Sequence, residues 1–227
     1  MNLARFVTAA MLALASSGAL AQAPAETLFN LVTLRADAQR EVPNDLLGAV
    51  LAAEAEGADP ALLAGEVNRA MQAALAAGKA YRSVNLRSGG YQTLPVYDKG
   101  KVVRWRVRQE LRLQSTDLSA ATELIGKLQA SLTVRSMALS VSPELRRQAE
   151  NALYGEALAA FEERARLVRD AMKAKAYRVR DLDVSGSGGG APVPVFARAA
   201  LAAPSAPAVE AGSTLISVAV SGTIQLQ

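Results

Sequence analysis

The stretch from Ser142 to Lys175 constrains this chain more than any other. Pro143 stands where a first helical residue tolerates it, because its missing N–H would find no intrahelical partner, and Ser142 before it can cap free donors. Leu145, Ala149, Ala152, Leu153, Ala157, Phe161, Ala165, Val168 and Met172 recur at steps of three and four. Arg146, Arg147, Glu150, Glu162, Glu163, Arg166, Arg169 and Lys173 fall largely between them, and Gly155 is the one glycine. This is the pattern of one amphipathic helix, roughly 45–50 Å long at 1.5 Å per residue. Such a helix cannot bury its apolar stripe alone, so a wide surface must lie beneath it, and the flanking strand-like segments are the obvious candidates.

The amino-terminal stretch reads as a secretory signal. Arg5 is followed by an uncharged run from Phe6 to Leu20 and by Ala19-Leu20-Ala21, a small-x-small cleavage site. The run of about 15 residues is shorter than the 18 or more of a spanning helix. Residues 1–21 are therefore expected to be removed, leaving a mature chain from Gln22 with no membrane anchor, in the periplasm or secreted. Cysteine is absent, which excludes disulfides, thiolate metal sites and an acylated lipoprotein. Histidine is absent too, removing the commonest general base and metal ligand and every Ser/His or Cys/His nucleophile pair. Loss of residues 1–21 takes away Arg5 alone, so 24 basic residues face 21 acidic ones. That balance does not argue for nucleic acid as a partner.

Thr27 to Arg40 alternates, with Leu28, Val32 and Leu34 on one face and Phe29 and Leu31 on the other, and reads as a strand buried on both sides. Pro43-Asn44-Asp45 reads as a turn. Leu46 to Glu56 is ambiguous: its Ala, Leu and Glu content favours helix, while its length and place after a turn suit the second arm of a hairpin. Asp59 and Pro60 cap and open a helix that ends at Gly78. Tyr81 to Arg87 reads as a short strand, Ser88-Gly89-Gly90 and Pro95 as a loop, and Lys99-Gly100 as a turn. Val102 to Leu113 is the cleanest strand: Val103, Trp105, Val107, Leu111 and Leu113 face one way, and Arg104, Arg106, Arg108, Glu110 and Arg112 the other. A short helix capped by Asp117 or Ser119, a strand from Leu132 to Val141, the long helix and a strand from Tyr177 to Val184 follow. Residues 185–210 read as a flexible Gly/Pro/Ala-rich insertion. Ser213 to Leu226 alternates again as a closing strand.

In this order the residues resemble the SIMPL domain family, exported bacterial proteins long described as a domain of unknown function. The resemblance covers nearly all of residues 22–227. Its marks are Val42-Pro43-Asn44-Asp45, Leu94-Pro95-Val96-Tyr97, the strand around Trp105 running into Ser115-Thr116-Asp117-Leu118, the Ala-rich long helix, and Val209-Glu210-Ala211-Gly212 before the last strand. The resemblance implies that Leu46 to Glu56 is a strand, against local propensity. It also implies an α+β fold in which antiparallel sheets are packed by a very long helix and one or two shorter ones. Residence in the bacterial envelope, self-association and a role in envelope or oxidative stress tolerance are implied as well, with no established reaction. Asn44 replaces the family's usual turn acid, and the insertion after Val184 is long.

No motif demands catalysis or a cofactor, so the expectation is a non-enzymatic periplasmic protein that forms homo-oligomers. The alternative is a binding module. Arg104, Arg106, Arg108 and Arg112 span about 27 Å of one strand face, where arginine forks could grip an anionic envelope polymer. Opposing it is a solvated face neutralised by Glu110 and by acids of neighbouring strands. A second alternative is a carboxylate- or metal-dependent hydrolase using Asp181 and Asp183, two apart on one strand face. Trp105, Tyr91, Tyr97 and Tyr177 could line a pocket, but core or interface anchoring explains them more simply. An outer-membrane barrel does not fit so few strands and so much helix.

Overall fold

The computed structural model describes residues 29–186, 193–194 and 212–227. The expected signal segment, and the insertion apart from residues 185–186 and 193–194, lie outside them. The elements run β1 (Leu31–Pro43), β2 (Leu46–Gly57), α1 (Pro60–Gly78), β3 (Asn85–Asp98), β4 (Lys101–Ser115), α2 (Leu118–Leu128), β5 (Thr133–Ser140), α3 (Pro143–Ala171), β6 (Tyr177–Gly186), β7 (Val193–Pro194) and β8 (Ser213–Leu226). The strands form two antiparallel sheets, one ordered β1-β8-β6 and the other β3-β4-β2-β5-β7. Helices packed on antiparallel sheets make the fold α+β.

Each sheet buries one face under its own helices. Leu47, Leu51, Val107, Leu111, Leu113 and Leu139 of the five-stranded sheet meet Leu63, Val67 and Met71 of α1 and Leu124, Ile125 and Leu128 of α2. Each fully buried leucine contributes roughly 1.5–3 kcal/mol relative to an exposed one. Ile216, Val218, Val220 and Ile224 of β8, with Ala36 of β1, meet α3 in a second core that shares no residue with the first. The buried residues of α3 are Ala149, Leu153, Ala157, Phe161 and Ala165, every one four positions from the next. A row at that spacing runs obliquely along the helix, inclined about 26° to its axis, and its alanines let the axis lie close to the strands.

The expected caps form at all three helices, with Asp117 rather than Ser119 capping α2 by accepting the Ala120 N–H at 3.0 Å. The Asp59 carboxylate accepts the Ala61 N–H at 2.8 Å with Pro60 in the first turn, and the Ser142 hydroxyl accepts the Leu145 N–H at 3.3 Å. The α3 helix stops at Ala171, short of Lys175, where Lys173 takes a left-handed φ of 55°. At 29 residues it is about 43 Å long. Met172, expected on its apolar stripe, is 65% exposed.

Four other expectations are corrected. The α3 helix lies on β1 and β8 with a lesser contact to β6, whereas β5, its neighbour in sequence, belongs to the other sheet. The β1 strand is buried on one face: Ala36 is fully covered while Phe29 and Leu31 are exposed, because α3 covers one side only. Pro43-Asn44-Asp45 is no hairpin turn, since β1 pairs with β8 and β2 with β4 and β5. It is a crossover between sheets. Finally, Ser88 to Pro95 is no loop but part of β3, where Gly89 and Gly90 form a bulge opposite Glu110. A Cβ on Gly89 would come within 2.8 Å of Glu110 Cβ, so the close approach requires glycine. Leu46–Gly57 is a strand despite its helical propensity, because its central place between β4 and β5 buries it on the helix-covered face.

The crossover is tied down. Asn44, buried, donates its N–H to the Gly212 carbonyl at 2.9 Å and accepts the Thr214 hydroxyl at 2.6 Å. Asp45 accepts the Ser142 N–H at 2.6 Å and the Ser142 hydroxyl at 2.7 Å. One dipeptide thereby holds the start of β8 and the amino terminus of α3.

Candidate anion-binding face

The face of the five-stranded sheet away from α1 and α2 carries the arginine row. Strand alternation puts Arg104, Arg106, Arg108 and Arg112 there, and antiparallel register sets Glu54 opposite Arg108 and Glu56 opposite Arg106. Arg104 Nε lies 3.5 Å from Glu56 Oε2, Arg106 Nε lies 3.4 Å from Glu54 Oε1, and a second nitrogen of Arg106 bonds Glu56. Arg108 Nη2 meets Glu110 Oε1 at 2.8 Å, and Arg135 of β5 reaches Glu54. The Nε of Arg108 is buried without a partner among the described residues. Exposed pairs of this kind contribute roughly 0–1 kcal/mol each, but they neutralise most of the row. Arg112 differs: it forms no ion pair among the described residues, and its direct cross-strand partner is Arg87 of β3. Arg87, Arg135, Glu54 and Glu56 were not singled out by sequence. The alternation of Glu54 and Glu56 with Ala53 and Ala55 was legible, but which strand faced them was not.

Asp181 and Asp183 do share a face of β6, opposite Thr223 and Ser221. Asp181 accepts the Thr223 N–H at 3.2 Å, and no group of three metal-ligating side chains occurs among the described residues. Gly222 is required there: a Cβ would stand 2.5 Å from the Asp181 carbonyl oxygen. The aromatic residues do not converge. Trp105 packs against the core of the five-stranded sheet and Tyr177 against that of the other, while Tyr91 and Tyr97 are exposed.

A polar cluster lies beside α2. The Tyr81 hydroxyl donates to Glu123 at 2.8 Å, and Lys127 donates to the Tyr81 hydroxyl and, at 2.9 Å, to Glu123. The hydrogen bonds to Tyr81 and then Glu123 raise the Lys127 pKa, and the bonds from Lys127 and then Tyr81 lower that of Glu123. The amine stays protonated and the carboxyl ionised, so neither moves a proton near neutral pH.

The tip of the β3–β4 hairpin stands apart. Pairing of β4 with β2 ends at Gly57 opposite Trp105, so Lys101 to Arg104 have only β3 beside them. The turn has left-handed Lys99 and Gly100, the backbone of a two-residue hairpin. Tyr97, Val102 and Val103 are 46–62% exposed on this arm, and Tyr97 lies opposite Val102.

These features define a two-sheet α+β protein with separate cores, an ion-paired open face and a projecting apolar hairpin. The SIMPL family model, described as a protein of unknown function (DUF541), matches residues 32–224, and the chain belongs to that family. No curated protein matches the chain. The family-like segments are joints of the fold: Val42-Pro43-Asn44-Asp45 is the crossover, Leu94-Pro95-Val96-Tyr97 enters the hairpin arm, and Ser115-Thr116-Asp117-Leu118 links β4 to α2. In that last joint Ser115 donates to the Ser83 carbonyl at 2.7 Å and Ser83 to Asp117 at 3.0 Å.

Proposed function

We propose that this chain is a non-enzymatic, self-assembling protein of the bacterial envelope, exported by residues 1–21 to the periplasm, where it contributes to tolerance of envelope or oxidative stress. The observation that carries assembly is the hairpin arm. A two-stranded ribbon is marginal in water by itself, yet this one runs past β2 and displays Tyr97, Val102 and Val103 to solvent. An exposed apolar cluster of this kind marks an interaction surface, and a second copy of the chain is the partner that burying the arm would serve. The small apolar run at Phe6 to Leu20 and the site at Ala19-Leu20-Ala21 support export. The stress role follows from the family resemblance alone. The lack of His and Cys supports a non-enzymatic reading.

Light scattering on the chain from Gln22 onward, across concentration at low and high salt, tests assembly. A discrete, salt-resistant oligomer that dissociates in Tyr97→Ser/Val102→Ser is expected. A monomer at every concentration, or an oligomer indifferent to those substitutions, refutes assembly through the arm.

A further inference from the structure

On the open face of the five-stranded sheet, Arg87 of β3 and Arg112 of β4 are direct cross-strand partners. Cβ atoms of such a pair stand about 4.5–5.5 Å apart, and like charges placed so are mutually destabilising. Everywhere else on this face the repulsion is relieved by acid: Arg104, Arg106, Arg108 and Arg135 each reach a glutamate. Glu110, the nearest acid along β4, is committed to Arg108. Arg87 and Arg112 have no hydrogen-bond or ion-pair partner among the described residues, and both are exposed.

The surroundings are those of a receptor for negative charge. The next cross-strand pair in the same rank is Asn85 and Gln114, whose amides add donors without adding acid. On the far flank, β2 presents Val50 beside Arg112 and Gly48 beside Gln114. These short side chains form a low floor, so nothing on that side rises to occupy the guanidinium groups. We propose that Arg87 and Arg112, supported by Asn85 and Gln114, bind a single oxyanion group, a phosphate or carboxylate carried by a ligand or polymer. Two guanidinium forks presenting several N–H donors to one anion convert the repulsion of the free site into shared attraction. This narrows anion recognition from a four-arginine row to a two-arginine clamp, and it stands independently of self-assembly.

The test uses the full mature chain, with inorganic phosphate and citrate as probes at constant ionic strength, read by NMR on the arginine Nε–H signals and the β3 and β4 amides. Saturable shifts centred on Arg87 and Arg112 are expected. The affinity should fall about tenfold or more in Arg87→Gln or Arg112→Gln, the loss of at least one charge-assisted bond, and remain as in the wild type in Arg104→Gln. Response to phosphate alone assigns a phosphoryl ligand, and response to citrate a carboxylate one. Shifts that stay linear with anion, or that weaken equally in Arg104→Gln, reflect diffuse screening and overturn the site. A second readout needs no probe: without phosphate, Arg112→Gln should raise the unfolding midpoint, and adding phosphate should then shrink that gain. A lowered midpoint in phosphate-free buffer overturns the repulsion on which the site rests.

Discussion

Replacing Asp45 with alanine removes the acceptor that holds the amino terminus of α3 to the crossover between sheets. Two hydrogen bonds are lost, from the Ser142 N–H at 2.6 Å and the Ser142 hydroxyl at 2.7 Å. Bonds to a charged group contribute roughly 1.5–3 kcal/mol each. Asp45 is half-buried, so solvent screening places the pair at the low end, about 3 kcal/mol together. Ser142 is itself buried, so its N–H would be left without a partner and the loss is not recovered by water. For a chain of this size about 3 kcal/mol lowers Tm by about 6–12 °C. Far-UV circular dichroism is the suitable probe because α3 supplies half of the helical residues. The single tryptophan, Trp105, packs against the other core and separately reports its unfolding by fluorescence. Asp45→Asn keeps an acceptor for the N–H and should cost about half as much. In a double-mutant cycle with Ser142→Ala, a coupling of about 1–2 kcal/mol is expected, since the two residues share the hydroxyl bond that alanine removes. A loss below about 1 kcal/mol in Asp45→Ala, or no coupling, would refute the reasoning.

Two further outcomes follow from local geometry. In Gly222→Ala the new Cβ meets the Asp181 backbone carbonyl, which cannot rotate away, so β6 must separate from β8 at a cost of about 1–3 kcal/mol. Hydrogen exchange should accelerate in β6 while the five-stranded sheet keeps its protection, and unchanged β6 protection would contradict the close approach. Acid should weaken the start of α2. The Ala120 N–H, followed by the Ser83 hydroxyl, holds the Asp117 carboxyl below its ordinary pKa of 3.8. A depressed folded pKa means the cap's contribution is full above the unfolded value and is lost as pH falls through the folded one. The urea midpoint should drop below about pH 4, with a shallower drop in Asp117→Asn, which caps without titrating. An identical pH profile in that variant would remove Asp117 as a source.

The features legible in sequence were those set by short-range chemistry. Ser142-Pro143 and Asp59-Pro60 began helices because capping and the fixed proline φ act within one turn. Val102 to Leu113 and Ser213 to Leu226 showed alternating strands because alternation is a property of the strand itself. Leu46–Gly57 defeated local reasoning: its alanines and leucines favour helix in isolation, and only pairing on both sides with β4 and β5 makes the extended form bury them. The bulge at Gly89-Gly90 deceived for the same reason, since Gly-Gly reads as a loop unless a neighbouring strand presses on it.

The chemistry of the open face divides along the same line. The arginine row was visible from alternation along β4. Glu110 and acids of neighbouring strands were expected to neutralise it, but which acids was not legible, because Glu54 and Glu56 lie about 50 residues away and antiparallel register alone sets them against Arg106 and Arg108. The same register leaves Arg112 facing Arg87 with no acid between them. Sequence by itself determined caps, alternation and the start of α3, since those depend on a residue and its near neighbours. Tertiary structure decided which strands share a sheet, which face α3 covers and which charges meet, because these depend on pairings between residues distant along the chain.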